Sequence, residues 1–98
     1  MEINLERNGN ELVVALDGRL DTLNAPKLEK ELEPALDGVE KLIFDFEKVA
    51  YISSAGLRVL LGAMQVMEDQ GEMAIKNVSD PVMEIFTVTR FIEDLNII

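Results

Sequence analysis

Apolar and polar positions alternate from the first residues: Ile3 and Leu5 stand among Glu2, Asn4 and Glu6, and beyond Arg7-Asn8-Gly9-Asn10 the run Leu12-Val13-Val14-Ala15-Leu16 is apolar throughout. Alternation followed by a continuous run predicts a half-exposed strand and then a better buried one. Asn8-Gly9 enters left-handed backbone conformations readily, so the two strands should join there in a tight hairpin. Asp17-Gly18-Arg19-Leu20-Asp21 should leave the second strand, with Asp21 or Thr22 capping a helix that begins between Asn24 and Pro26. Leu28, Leu32 and Leu36 then recur every four residues, while Lys27, Glu29, Lys30 and Glu33 face water, the pattern of one amphipathic helix. Pro34 removes a backbone donor and obstructs the preceding turn, which predicts a kink or an early end, with Gly38 completing the exit.

Leu42-Ile43-Phe44-Asp45-Phe46 carries the densest branched and aromatic signal and predicts a central strand, in which alternation sets Asp45 on the less covered face. A loop around Glu47-Lys48 should lead to Tyr51-Ile52. Leu57, Leu60, Leu61, Met64 and Met67 recur as threes and fours and predict a helix from about Ser54 to Asp69, in which Gly62 allows close packing at a cost of roughly 1 kcal/mol relative to alanine. Gln70-Gly71 closes it, Met73 to Val78 forms a fourth strand, and Ser79-Asp80-Pro81 starts a short third helix bearing Val82, Ile85, Phe86 and Val88. Leu95 to Ile98 either adds an edge strand or docks as an apolar tail. The order β-β-α-β-α-β-α, with that optional last strand, is α/β: a mixed four- or five-stranded sheet with helices packed mainly on one face and parallel neighbours at the helical crossovers.

Composition narrows the chemistry. The 98 residues suit one small domain spanning 1–98, and 48% hydrophobic content can fill its core. Nineteen acidic against nine basic side chains give a formal charge of -10, which disfavours direct contact with nucleic acid and an anionic bilayer but permits a partner with a basic surface. Without cysteine or histidine there is no thiolate nucleophile, disulfide, thiolate metal site or serine–histidine triad. No glycine-rich lysine loop cradles a nucleotide, and no carboxylate spacing specifies a hydrolytic pair. The sequence therefore calls for no cofactor, no metal and no catalytic residues. It shows neither an export signal nor a membrane span, and cytoplasmic residence is expected.

The informative segment is Tyr51-Ile52-Ser53-Ser54-Ala55-Gly56-Leu57-Arg58-Val59-Leu60-Leu61, which places two hydroxyls and two small residues where a strand passes into an apolar-faced helix. One serine can cap the helix while the other stays reactive, and the residues leave their assignment open. A phosphate there would meet the unpaired donors of a helix start and change the charge shown to a partner. Gly56 and Ala55 either admit a partner or relieve crowding in the first turn. Arg58 lies one turn beyond Ser54, and Asp21 belongs to a loop that should reach the same sheet end.

Phe44-Asp45-Phe46 followed by Val49 to Leu61, together with Gly18-Arg19-Leu20-Asp21, Asn24-Ala25 and Val78-Ser79-Asp80-Pro81, resembles the STAS family, in particular bacterial anti-sigma factor antagonists. The resemblance covers most of the chain in the family's order. It implies that Ser54 is the residue phosphorylated by an ATP-dependent anti-sigma factor/serine kinase, with Ser53 at a position usually acidic in the family and Ala55 at the next small position. It implies a partner switch: the unmodified protein binds the anti-sigma factor and releases a sigma factor, phosphorylation weakens that complex, and a PP2C-type phosphatase resets it. The partner-binding set becomes Asp21, Ser53, Ser54, Ala55, Gly56 and Arg58. The same resemblance also fits an adaptor in a stress-signalling or membrane-lipid-transport assembly that is never phosphorylated, and it sets no oligomeric state.

Overall fold

The computed structural model describes residues 1–98 and realises the hairpin signal: strands Glu2–Asn8 (β1) and Glu11–Leu20 (β2) pair antiparallel across a turn where Gly9 has φ 60°. Helix Ala25–Ala35 (α1) then leads to strand Lys41–Ile52 (β3), helix Ser54–Gln70 (α2), strand Glu72–Lys76 (β4) and helix Asp80–Val88 (α3), followed by a 3-10 turn at Phe91–Glu93. The sheet order is β1-β2-β3-β4, with β2 and β4 both parallel to β3. The mixed sheet follows from connection length: a two-residue turn forces antiparallel pairing, whereas a helical crossover returns the chain parallel.

Alternation decides which face is covered. Register aligns Leu5 with Val14, Val14 with Phe44 and Phe44 with Ile75, and the last three are fully buried. They join Leu28 and Leu32 of α1, Leu57 and Leu60 of α2, and Val82 and Phe86 of α3 in one core cluster. Phe46 meets Phe44 edge-on at 6.3 Å and Phe86 at 6.2 Å between ring centroids, an arrangement that suits the ring quadrupoles. The intervening Val13, Ala15, Asp45 and Lys76 are half-buried on the face the helices do not cover.

Three boundaries differ from the sequence reading. The second strand does not stop near Leu16, and Glu47-Lys48 is not a loop; both strands run on side by side to Leu20 and Ile52. Pairing jumps from Ala15↔Asp45 to Asp17↔Lys48 and again from Gly18↔Val49 to Arg19↔Tyr51, so β3 carries an extra residue at each step. Such bulges let pairing continue through a polar interruption, and here the Asp45 carboxylate accepts the Glu47 N–H at 3.1 Å. The fourth strand ends at Lys76, before Val78, because Asn77 turns the chain with φ 58°.

α1 passes through Pro34 in its last turn and ends one residue later, with Gly38 at φ 74° completing the exit. Gln70 of α2 donates from Nε2 to the carbonyls of Leu36 and Val39 at 2.9 and 2.8 Å, tying the far ends of the two helices together. The last residues do both things expected of them. Leu95 is buried in the core, and Ile97 forms a single parallel bridge to Ile75, so the sheet has four full strands and an added pairing at its edge.

Candidate functional site

The carboxyl ends of β2 and β3 lie together, the place where parallel α/β sheets expose loops to ligands. Leu20 pairs with Ile52, and the Ser53 N–H donates to the Leu20 carbonyl at 2.9 Å, locking the two strand exits to each other. One exit is the Asp21 loop and the other is the start of α2. Ser79, ahead of α3, donates its hydroxyl to the Val49 carbonyl at 3.2 Å, which brings Asp80-Pro81 to the rim of the same end.

The two serines divide the roles that the sequence left open. Ser53 is the N-cap: its backbone is extended, and its Oγ accepts the Gly56 N–H at 3.3 Å. It is 9% exposed and forms part of the support beneath the surface. Ser54 is the first helical residue and is exposed. The first-turn N–H groups of Ser54 and Ala55 have no intrahelical acceptor, and the positive end of the helix dipole lies there, so an anionic group on Ser54 Oγ is locally favoured.

Gly56 serves packing within the chain. A Cβ at this position would lie 2.8 Å from the Leu20 carbonyl oxygen, from Leu20 Cγ and from Ile52 Cγ1. The absent side chain lets α2 sit directly against the strand exits, so Gly56, like Ser53, is buried rather than on offer to a partner. Ala55 is half-buried against the core, and Arg58 is exposed one turn along α2.

Asp21 does not cap α1. Its Oδ1 accepts the N–H groups of Leu23 at 3.1 Å and Asn24 at 3.0 Å, and its carbonyl accepts the Ala25 N–H at 2.8 Å. The carboxylate thus shapes the loop before the helix, because an aspartate reaches the amides two and three residues ahead more easily than it reaches into a helix starting four residues on. Asn24 occupies the cap position without a capping bond and donates instead to the Arg19 carbonyl at 2.8 Å.

Two features escaped the sequence reading. Leu23, at the tip of the Asp21 loop, is 82% exposed, a large apolar side chain on a loop fixed at both ends. Its signal is a leucine amid the polar residues Asp21, Thr22 and Asn24. Arg19 stacks on Tyr51, its guanidinium 4.5 Å from the ring centroid, a cation–π contact between paired residues that the bulges bring into register. No group of three or more acidic, histidine or cysteine side chains is arranged to hold a metal. This edge presents an exposed hydroxyl at Ser54 and an exposed leucine at Leu23.

A family model for the STAS domain matches residues 2–98. Over 94 residues the chain is 35% identical to BtrV of Bordetella bronchiseptica, provisionally assigned as an anti-sigma factor antagonist, covering 94% of this chain and 81% of that protein. The anti-sigma-B factor antagonist of Bacillus subtilis is 27% identical over 90 residues, covering 91% and 83% of the two chains. Among solved structures, the anti-sigma factor antagonist SpoIIAA superposes in its unphosphorylated form with TM-score 0.78 at 22% identity, covering 99% of this chain and 87% of that one. A phosphorylated form of SpoIIAA superposes with TM-score 0.76.

Proposed function

The chain belongs to the STAS domain family, a non-catalytic regulatory module, and from that premise we propose that it is an anti-sigma factor antagonist whose hold on its partner is set by phosphorylation of Ser54. The observation that carries this reading is the division of labour between neighbouring serines: Ser53 is committed to the helix cap, while Ser54 presents its hydroxyl at the surface. SpoIIAA, which shares the fold, exists in unphosphorylated and phosphorylated forms.

The partner is an anti-sigma factor with serine kinase activity, met in the cytoplasm, and a PP2C-type phosphatase restores the hydroxyl. Unmodified Ser54 and the exposed Leu23 lie against the partner, with Ala55, Arg58 and the Asp21 loop completing the contact. A hydroxyl can be desolvated in such a contact at modest cost. A phosphate brings about 1.5 to 2 negative charges, and burying those charges unpaired costs several kcal/mol. The same phosphate is tolerated in the free domain by the start of α2 and by Arg58 on the adjacent turn. Modification therefore changes association while leaving the fold intact.

Incubation with the cognate kinase and ATP, followed by intact and peptide mass measurement, tests the assignment. A single phosphate mapped to Ser54 is expected, and an active kinase that leaves Ser54 unmodified contradicts it. Leu23→Asp should weaken the partner complex by tenfold or more, about 1.4 kcal/mol, with no change in melting temperature.

A further inference from the structure

Between α1 and α2 runs a groove with a cavity volume of about 460 Å³. Its floor is apolar and already packed: Leu32, Leu36, Val59 and Ala63 are each no more than 5% exposed. Above the floor, Val66 is 41% exposed and Gly62 is open to solvent. The Gln70 amide, bonded across to α1, closes the far end.

Gly62 has no internal explanation. A Cβ at Gly56 or Gly71 would collide with the backbone of this chain, whereas nothing lies within 4 Å of a Cβ built at Gly62. Glycine is among the poorest residues for a helix interior, and at this position its absent side chain creates a notch in the groove wall without serving any contact within the molecule. The opposite wall is charged. Glu29 and Glu33 line it one turn apart on α1, and Asp37 lies in the turn just beyond the helix; all three are exposed. None of the three carboxylates forms an ion pair within the chain, whose one ion pair joins Lys41 to Glu72; the Arg7 guanidinium donates to the Asp37 backbone carbonyl at 2.8 Å.

We propose that this groove docks a basic amphipathic helix of a partner protein. The apolar ridge of that helix would settle over Val66 and into the notch at Gly62, where the missing side chain permits close approach of two helices. Its lysine or arginine side chains would pair with Glu29, Glu33 and Asp37. Glu29 and Glu33 are about 6 Å apart along α1, the spacing at which a helix laid alongside presents cations on successive turns. Two carboxylates at that spacing beside an elongated groove favour a helix over a compact small molecule. The inference stands apart from Ser54: it holds whether or not that residue is phosphorylated, and its failure leaves the phosphorylation reading untouched.

The test is a nitrogen-15 NMR titration of the full chain with two synthetic helical peptides of about 18 residues, each about 27 Å long. Both carry the same leucine ridge, one flanked by lysines and the other by glutamates. The lysine peptide should bind saturably, with amide shifts concentrated on α1 and α2 around Glu29, Glu33, Gly62 and Val66, and the glutamate peptide should not bind. Gly62→Leu should weaken the lysine peptide by tenfold or more while the spectrum stays dispersed. Glu29→Lys combined with Glu33→Lys should reverse the preference between the peptides. Shifts scattered evenly over the acidic surface, affinity indifferent to Gly62→Leu, groove shifts that grow with protein concentration alone, or no binding by the unaltered protein would each overturn the proposal.

Discussion

Gly56 and Gly62 stand six residues apart on α2 and answer to different constraints. At Gly56 a methyl group would press on the Leu20 carbonyl and two side-chain carbons at 2.8 Å. Overpacking of this kind typically costs about 1–3 kcal/mol, which outweighs the ~1 kcal/mol that alanine contributes to a helix. Gly56→Ala is therefore expected to lower stability by about 1 kcal/mol or more, and Gly62→Ala, with open space around it, to raise it by up to about 1 kcal/mol; urea unfolding of both variants measures the difference. Ser53→Ala should cost about 1 kcal/mol through the lost cap yet leave Ser54 modifiable, as kinase treatment followed by peptide mass mapping would show. A spacing argument finds the serine pair but cannot say which serine is buried. That outcome depends on the bond from the Ser53 N–H to Leu20, a residue 33 positions earlier whose place is set by strand pairing.

At the scale of elements, Asp45 ties β3 to the end of β4. Partial burial by itself would raise its carboxyl pKa. Hydrogen bonds from the Asn77 side chain at 3.0 Å and from the Glu47 N–H, with the charge of Lys76 nearby, outweigh burial and hold the pKa below the ordinary value of 3.8. Because the folded-state pKa is depressed, this stabilisation is fully present above the unfolded value and is lost as pH falls through the folded one. Asn77→Gly removes the amide while accepting φ 58°, and it should raise the Asp45 pKa and flatten the acid limb of the stability curve between about pH 5 and pH 2. Carboxyl NMR titration and urea unfolding across that range check both effects.

Helix α2 and the core of β3 were legible because their apolar residues repeat at the helical and strand periods over many positions. The stretch around Glu47-Lys48 was not, since a bulge shifts the alternation and makes paired backbone resemble a loop. The exposure of Asp45 was readable from Phe44 and Phe46 on either side, but its partner Asn77 was not, because that contact joins residues 32 apart. The Asp21 loop was recognised as a helix approach, whereas its side-chain geometry depends on where α1 actually begins.

For the molecule as a whole, the charge of -10 sets the electrostatics of any encounter. Attraction to a basic partner surface accelerates association most at low ionic strength, so the association rate should fall severalfold between about 50 and 500 mM salt while dissociation changes less; stopped-flow mixing resolves the two. No helix is long and apolar enough to cross a membrane. The partner affinity of protein carrying a verified phosphate on Ser54, compared by calorimetry with that of the unmodified protein, tests the central claim most directly. The account predicts a loss of at least tenfold in affinity with circular dichroism and melting temperature essentially unchanged; equal affinities, or a loss accompanied by unfolding, would contradict it.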